Sequence, residues 1–184
     1  MDSRSTSDPR RLDVSAFAAA SGEIGGEWPI ADFPRLPTVP PEEGLAPGPV
    51  VAWRASGRMA RLAGASVQPM LHVEAQAEPV LRCQRCLQPL RVSVQVDRRI
   101  AFVDGEDAAA VLDAESEDDV LARVAALDLH ELVEDELLLT LPLVPRHDVC
   151  PDPPRLRDPD DAALSGAGNP FAALSVLKRG LPSA

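Results

Sequence analysis

Aromatic side chains are scarce: they make up 3% of the 184 residues, and tyrosine is absent. Since proteins that bind single-stranded nucleic acid commonly stack bases on aromatic rings, we expect no stacking platform. Three cysteines are too few, and an odd number, for the disulfide framework of a secreted protein. No stretch approaches the roughly 20 apolar residues of a membrane span. We therefore expect a cytoplasmic protein with no membrane partner.

The common catalytic motifs are missing as well. The sequence has no P-loop, no dinucleotide-binding glycine fingerprint, no nucleophile elbow and no HExxH. A convergent active site needs no motif, but the sequence favours a protein that is not an enzyme and has no small-molecule substrate.

The net charge of −11 is distributed unevenly. Residues 80–103 carry five arginines and one aspartate, a net +4, whereas residues 104–136 carry 13 acidic residues and one arginine, a net −12. The overall charge opposes approach to phosphate backbones. Two kinds of contact stay open: RNA bound by the arginines, or a basic protein held by the acidic segment. The arginines are Arg82, Arg85, Arg91, Arg98 and Arg99.

Composition divides the chain into four parts. Residues 1–49 are rich in proline, glycine and alanine and are predicted to be irregular, because proline breaks helices and central strands. Residues 50–150 are predicted to form the core, 151–168 a linker, and 169–184 a C-terminal helix and tail. The fold class expected is α+β, with a mainly antiparallel sheet, one core helix and a short C-terminal docking helix.

Alternation of apolar and polar residues marks the strands. Its longest run predicts one half-buried strand, with Leu90, Val92, Val94, Val96, Ile100 and Phe102 on one face. In two earlier candidate strands, Gly57 indicates a bulge or bend and Pro69 an edge position or bulge. Residues 104–127 lack a clear pattern and are predicted to be a long loop with one short helix.

Two helices have recognisable ends. Asp128 with Glu131 resembles a capping box, Pro142 stops the helix, and Leu129, Leu132, Val133 and Leu137 form its apolar stripe. In the second helix Asn169 is the cap and Pro170 the first helical residue. Its apolar face consists of Phe171, Leu174 and Leu177, and so short a helix needs a surface on which to dock.

The residues Cys-Gln-Arg-Cys at 83–86 admit three interpretations: a metal site, a redox pair, or a turn with reduced thiols. A thioredoxin-type pair begins a helix, whose dipole lowers the pKa of the first thiol. Here Pro89 and a strand follow, which fits a zinc knuckle better. His147 and Cys150 would complete a closed Cys3His site of the structural kind. On the residues alone, structural zinc and simple reduced thiols both stay open.

Three segments in this order resemble the YceD family, the large ribosomal RNA subunit accumulation proteins of bacteria and plastids. They are RCQRCLQPL, DLHELVEDELLLTLPLVPRHDVC and NPFAALSVLKRG. The resemblance extends loosely over residues 45–180, while the first fifty residues resemble no family that we can name.

The resemblance implies a non-enzymatic role in the synthesis, processing or stability of 23S rRNA, and so in large-subunit assembly. The partner implied is the pre-large-subunit particle, through its rRNA or a basic ribosomal protein. Cys83 and Cys86 match the family's first cysteine pair, and His147 and Cys150 match the later pair, where some members have a full Cys-x-x-Cys. The last segment matches the terminal motif at Asn169, Pro170, Phe171 and Leu177.

Overall fold

The computed structural model describes residues 8–37, 50–62 and 66–151. Among these residues, five strands form the main sheet in the order β1-β2-β3-β6-β7, and two short strands, β4 and β5, form a second sheet. The strands are β1 Glu23–Pro29, β2 Val50–Arg61, β3 Val67–Ala77, β4 Val80–Arg82, β5 Pro89–Arg91, β6 Val94–Val103 and β7 Asp119–Ala122. The helices are α1 Val14–Ala19, α2 Glu106–Asp113 and α3 Leu129–Thr140, with a 3-10 turn at Ile30–Asp32.

All pairings in the main sheet are antiparallel except that of β6 with β7, which is parallel. The predicted α+β class with a mainly antiparallel sheet is therefore confirmed. None of the described helices is long and apolar enough to cross a membrane. The predicted linker and the docking-helix residues Asn169, Pro170, Phe171, Leu174 and Leu177 lie outside the described residues.

The longest alternating run belongs to two sheets rather than to one strand. It is divided into β5 and β6, because Val92 N–H still donates to Pro79 O (3.1 Å) while Val94 pairs with Ala77 of the main sheet. Val94, Val96 and Ile100 are buried as predicted. Alternation reports which side a residue faces and not which strand it pairs with, so one pattern can cross from sheet to sheet.

The N-terminal segment is more regular than predicted, and its irregular assignment is corrected for α1 and β1. The Asp13 carboxylate accepts from Ala16 N–H (3.0 Å) and begins α1. The prolines cluster from Pro29 onward, where β1 ends, so they leave the earlier residues free to pair with β2. Since β1 is an edge strand, it needs only one partner.

Gly57 permits a close helix contact rather than a bend, which corrects the bulge prediction. Strand β2 pairs continuously with β3 through this position. A Cβ atom on Gly57 would lie 2.6 Å from Phe17 Cδ1 and 3.0 Å from Ala18 Cα. The missing side chain therefore lets α1 lie directly against the sheet.

Pro69 is tolerated in a central strand because of its place in the pairing. The pairing of β3 with β6 begins at the next residue, Met70, so Pro69 needs no N–H on that side. Pro69 therefore lies at a local edge of the sheet with β2 as its one partner, which confirms the predicted edge position.

The main core lies between one face of the sheet and helices α1 and α3. The Asp128 carboxylate accepts from His130 N–H and Glu131 N–H at 2.9 and 3.1 Å, which fixes the start of α3. The predicted apolar stripe is buried throughout: Leu129, Leu132, Val133 and Leu137. Because α3 ends at Thr140, just before Pro142, the chain then runs extended toward the β4–β5 turn.

The acidic segment contains more structure than a loop with one helix. Strand β7 extends the main sheet beside β6, and helix α2 packs on the other face of the sheet at this end, over a smaller apolar cluster. This cluster consists of Leu62, Met70, Ala101, Val103, Ala109 and Val120. The end of β6 is consequently buried on both faces, whereas its first residues are buried on one face and residues 97–99 in its middle are exposed.

Candidate metal centre

The structure brings Cys83, Cys86, His147 and Cys150 together. Their ligand atoms all lie within 4.8 Å of one another, so the cluster could hold a metal ion. Cys83 Sγ lies 3.8 Å from Cys150 Sγ, and Cys86 Sγ lies 3.4 Å from His147 Nδ1. Metal bonds of about 2.3 Å to sulfur and about 2.0 Å to nitrogen, set tetrahedrally, predict about 3.8 Å and about 3.5 Å for these separations.

The three thiols are reduced. The separation of Cys83 and Cys150 is far longer than the roughly 2.05 Å of a disulfide bond. The observed spacing is thus that of neighbouring ligands and not of a cross-link.

A tight turn between β4 and β5 positions the first two cysteines. Cys83 N–H donates to Gln88 O and Leu87 N–H donates to Cys83 O, both at 2.9 Å. Leu87 adopts a positive φ of 63°, a conformation that residues with side chains seldom take. The chain continues into β5 and not into a helix, so the helix dipole of a thioredoxin-type site is missing here.

The second pair of ligands is attached to this turn by backbone bonds. Gln84 N–H donates to Pro145 O at 2.8 Å, which fastens the extended segment after α3. His147 Nε2 lies 3.1 Å from Pro89 O. A carbonyl can only accept, so Nε2 carries the proton and Nδ1, which faces Cys86, keeps its lone pair for a metal.

The electrostatics of the turn favour a thiolate at Cys83. Burial by itself raises the pKa of this thiol, but backbone hydrogen bonds from Cys86, His147 and Arg85 outweigh it and lower the pKa to about 5. Burial raises the pKa of the Cys86 thiol. A metal ion ligated by sulfur requires deprotonated thiols, so binding would release the remaining protons.

The environment of Cys83 suits a metal ligand better than a redox nucleophile. Its side chain is fully buried, whereas reactive cysteines are partly exposed. Four ligands would close a tetrahedral site and leave no position for a substrate or a reactive water. The chemistry that the arrangement supports is therefore cross-linking of the small sheet to the segment after α3.

The five arginines do not lie on one surface. Arg98 and Arg99 are neighbours on β6 and point to opposite faces of the sheet. Arg98 pairs with Glu136 (3.0 Å), and Arg99 pairs with Asp118 (3.1 Å). Arg82 and Arg91 belong to the second sheet, where the Arg82 guanidinium donates to Leu87 O at 3.0 Å.

Arg85 points into the cluster. Its Nε donates to Cys150 Sγ at 3.0 Å, and this bond is the main reason that the pKa of the guanidinium is raised. Sequence reasoning grouped Arg85 with possible RNA contacts. The position of Arg85 between two cysteines was the one sign in the sequence of a role at the cluster. Its partner Cys150 is 65 residues away and could not be inferred from the sequence.

Two buried polar residues of α3 have partners that were not predicted from the sequence. The Glu134 carboxylate accepts from the backbone N–H (2.6 Å) and Nε (2.9 Å) of Arg35. His130 stacks on Phe33 with ring centroids 4.1 Å apart and meets Trp28 edge-on. Both contacts join α3 to the N-terminal segment, so they stabilise the element that leads to the second pair of ligands.

A groove of about 420 Å³ lies beside the cluster. Strand β4 and residues 141–145 form its walls, together with Pro37. Gln84 and Pro145, whose backbone groups are hydrogen-bonded, both line it, so the groove depends on the same attachment as the cluster.

The family model of the large ribosomal RNA subunit accumulation protein YceD matches residues 71–178, more than half of the chain. The chain belongs to the YceD family. The family resemblance expected from the three segments is confirmed, and the matched range contains all four members of the cluster.

A curated YceD relative supports the same assignment. The large ribosomal RNA subunit accumulation protein YceD of Haemophilus influenzae is 32% identical over 112 residues, which cover 58% of this chain and 63% of the relative. The chain thus spans somewhat less than two thirds of that relative. No solved structure matches this YceD-family chain.

Proposed function

We propose that this YceD-family protein is a non-enzymatic factor that supports accumulation of 23S rRNA and assembly of the large ribosomal subunit in the cytoplasm. Membership of the family carries this proposal, since the family is named for the accumulation of large-subunit ribosomal RNA. The closed geometry of the cysteine–histidine cluster supports a structural rather than a catalytic centre.

Zinc is the metal that we assign to this centre. Thiolate and imidazole ligands in a tetrahedral arrangement are typical of structural zinc. Cys83, Cys86, His147 and Cys150 would hold the ion, which supplies a cross-link and no reactive chemistry. The hydrogen bond from His147 to Pro89 O is the kind of support that orients histidine ligands in such sites.

The role in 23S rRNA accumulation is tested by depletion of the protein. We expect a selective fall in the ratio of 23S to 16S rRNA and in free large subunits on a sucrose gradient. Wild-type protein should restore both, and Cys83→Ser should not, whereas Glu27→Gln serves as the exposed control on β1. An unchanged ratio and gradient after depletion would contradict the proposal.

A second candidate function lies in the same assembly pathway. The protein would be an escort that holds a basic ribosomal protein before assembly. The distribution of ion pairs favours protein contact over direct RNA contact. Arg85, Arg98 and Arg99 are engaged with groups of this protein. Glu106, Asp107, Glu115 and Glu117 are exposed around α2, and no ion pair is formed by them among the described residues. Acidic side chains that are not neutralised by a cation attract basic protein chains more readily than RNA.

Charge neutralisation distinguishes the two contacts. Changing Glu106, Asp107, Glu115 and Glu117 to glutamine should abolish capture of basic ribosomal proteins, whereas the same change at Glu23 and Glu27, exposed on β1, should not. Asp118 and Asp119 are left intact because they pair with Arg99 and Arg98. Retained capture by the α2 variant, together with crosslinks to 23S rRNA, would reject the escort and favour direct RNA contact.

A further inference from the structure

One guanidinium joins the two halves of the candidate metal centre. Arg85 Nε donates to Cys150 Sγ at 3.0 Å. Arg85 Nη2 donates to His147 O at 2.9 Å and to Asp148 O at 3.3 Å. Because Arg85 lies between Cys83 and Cys86, these bonds hold the His147–Cys150 loop directly against the turn that supplies the first two ligands.

The charge of Arg85 also matches what the centre requires. Three thiolates around a divalent ion leave one excess negative charge, and a neutral histidine does not change it. The Arg85 guanidinium supplies the compensating positive charge in contact with one of the sulfurs. A hydrogen bond that involves charged groups is about twice as strong as a neutral one.

The other charged groups near the centre do not have this geometry. Arg82 donates to Leu87 O within its own turn. Arg146 and Asp148 have exposed side chains, and Asp148 contributes its carbonyl to Arg85. Arg85 is therefore the cation that reaches a ligand sulfur in the described part of the chain.

We propose that Arg85 is the positioning residue of the metal centre: it holds the His147–Cys150 loop in ligating geometry and balances the thiolate of Cys150. Under this assignment Arg85 does not contact RNA phosphate. The inference rests on the proposed zinc centre. One planar guanidinium donates to three acceptors, Cys150 Sγ, His147 O and Asp148 O. The single ammonium group of lysine cannot reproduce this arrangement of N–H groups.

The test compares full-length wild-type protein with Arg85→Gln, Arg85→Lys and the control Arg91→Gln, whose exposed side chain lies on β5. Zinc affinity is measured by competition with a chromogenic chelator, and the cobalt-substituted protein is examined by absorption spectroscopy. Loss of a partner that supports metal ligands typically costs about 10–100-fold in affinity, so we expect a loss of that size for both Arg85 variants. The affinity of Arg91→Gln should equal that of the wild type.

The cobalt spectrum separates positioning from a general loss of stability. We expect the sulfur-to-cobalt charge-transfer bands to shift in both Arg85 variants, because the N–H to Cys150 Sγ bond is lost, and to stay in place in Arg91→Gln. If the wild type binds zinc and the Arg85 variants match it in affinity and cobalt spectrum, the role of Arg85 is overturned and the metal centre stands. A wild-type protein that binds no zinc overturns the metal centre and this inference together.

Discussion

The two sheets of this protein are stabilised by different means. The main sheet has long strands, and its inner face packs against α1 and α3 over a large apolar cluster. The second sheet pairs only three residues of β4 with three of β5, and among these Leu81 is the buried side chain. An isolated two-stranded sheet is marginally stable at best. From this difference we predict that the small sheet depends on the cysteine–histidine cluster for its stability, whereas the main sheet does not.

The largest effect is expected from removal of the proposed zinc ion, which should destabilise the second sheet and leave the main sheet stable. Structural zinc contributes about 10–16 kcal/mol of apparent binding free energy in small zinc-finger peptides, far more than three residue pairs can supply. With a chelator, amide hydrogen exchange at Cys83, Leu87 and Val92 should accelerate by orders of magnitude. Exchange at Val73 and Val96 in the main sheet should change little, and equal acceleration in both sheets would contradict the comparison.

Truncation of a buried side chain in the apolar stripe of α3 should destabilise the main core rather than the second sheet. Leu137 is fully buried, so Leu137→Ala removes contacts and leaves a cavity in the main core. We expect the free energy of unfolding to fall by about 2–5 kcal/mol. Chemical denaturation followed by circular dichroism measures it, with Leu139→Ala as the control, because Leu139 is 74% exposed. Equal stabilities of the two variants would show that this face of α3 is not the core.

A smaller loss is expected where α1 approaches the sheet. Gly57→Ala would place a Cβ atom within 3.0 Å of the α1 backbone at Ala18 and even closer to the Phe17 ring. Overpacking of this kind costs about 1–3 kcal/mol. Gly26→Ala is the matched control, because its Cβ would meet Trp53 at an ordinary 3.8 Å. Thermal unfolding of the two variants should therefore differ, and a Gly57→Ala protein as stable as the control would contradict the close contact.

The smallest expected effect is a pH dependence of the main core. Burial, followed by the nearby charge of Arg10, lowers the pKa of His130 below its ordinary value, while Asp128, Glu134 and Asp32 oppose the shift. Below about pH 6.5 His130 is protonated in the unfolded chain but stays neutral in the folded protein. The free energy of unfolding therefore falls as the pH decreases. His130→Phe should keep the stacking on Phe33 and weaken this dependence.

Urea midpoints at pH 7 and pH 5 measure that dependence. We expect the wild-type midpoint to fall more between the two pH values than the His130→Phe midpoint. An equal fall in both proteins would assign the acid sensitivity to other groups.

Prediction from sequence worked best where the physics is local. The cap at Asp128 and the stripe that includes Leu137 are set within a few residues, and both are found as predicted. It was less accurate where partners are distant. The regular β1 strand depends on pairing with β2, and the division between β5 and β6 depends on which sheet each half joins.

The same distinction holds at the candidate centre. The residue types at Cys83, Cys86, His147 and Cys150 suggested metal ligation by their chemistry and spacing, but the alternative of simple reduced thiols could not be rejected. The convergence of four ligand atoms within 4.8 Å is a fact of tertiary structure, since about sixty residues separate the two pairs.

By itself, the sequence determined the family, the α+β class, the core stripe of α3 and the ligand types available for a metal. The family follows from the resemblance of three segments, and the other features follow from composition, periodicity and local capping, which act over a few residues. Only the tertiary structure decided that Arg85 faces Cys150, that Arg98 pairs with Glu136 and Arg99 with Asp118, and that Pro89 O selects the tautomer of His147. Such contacts depend on how distant segments meet, because direction in space is set by packing and not by neighbours along the chain.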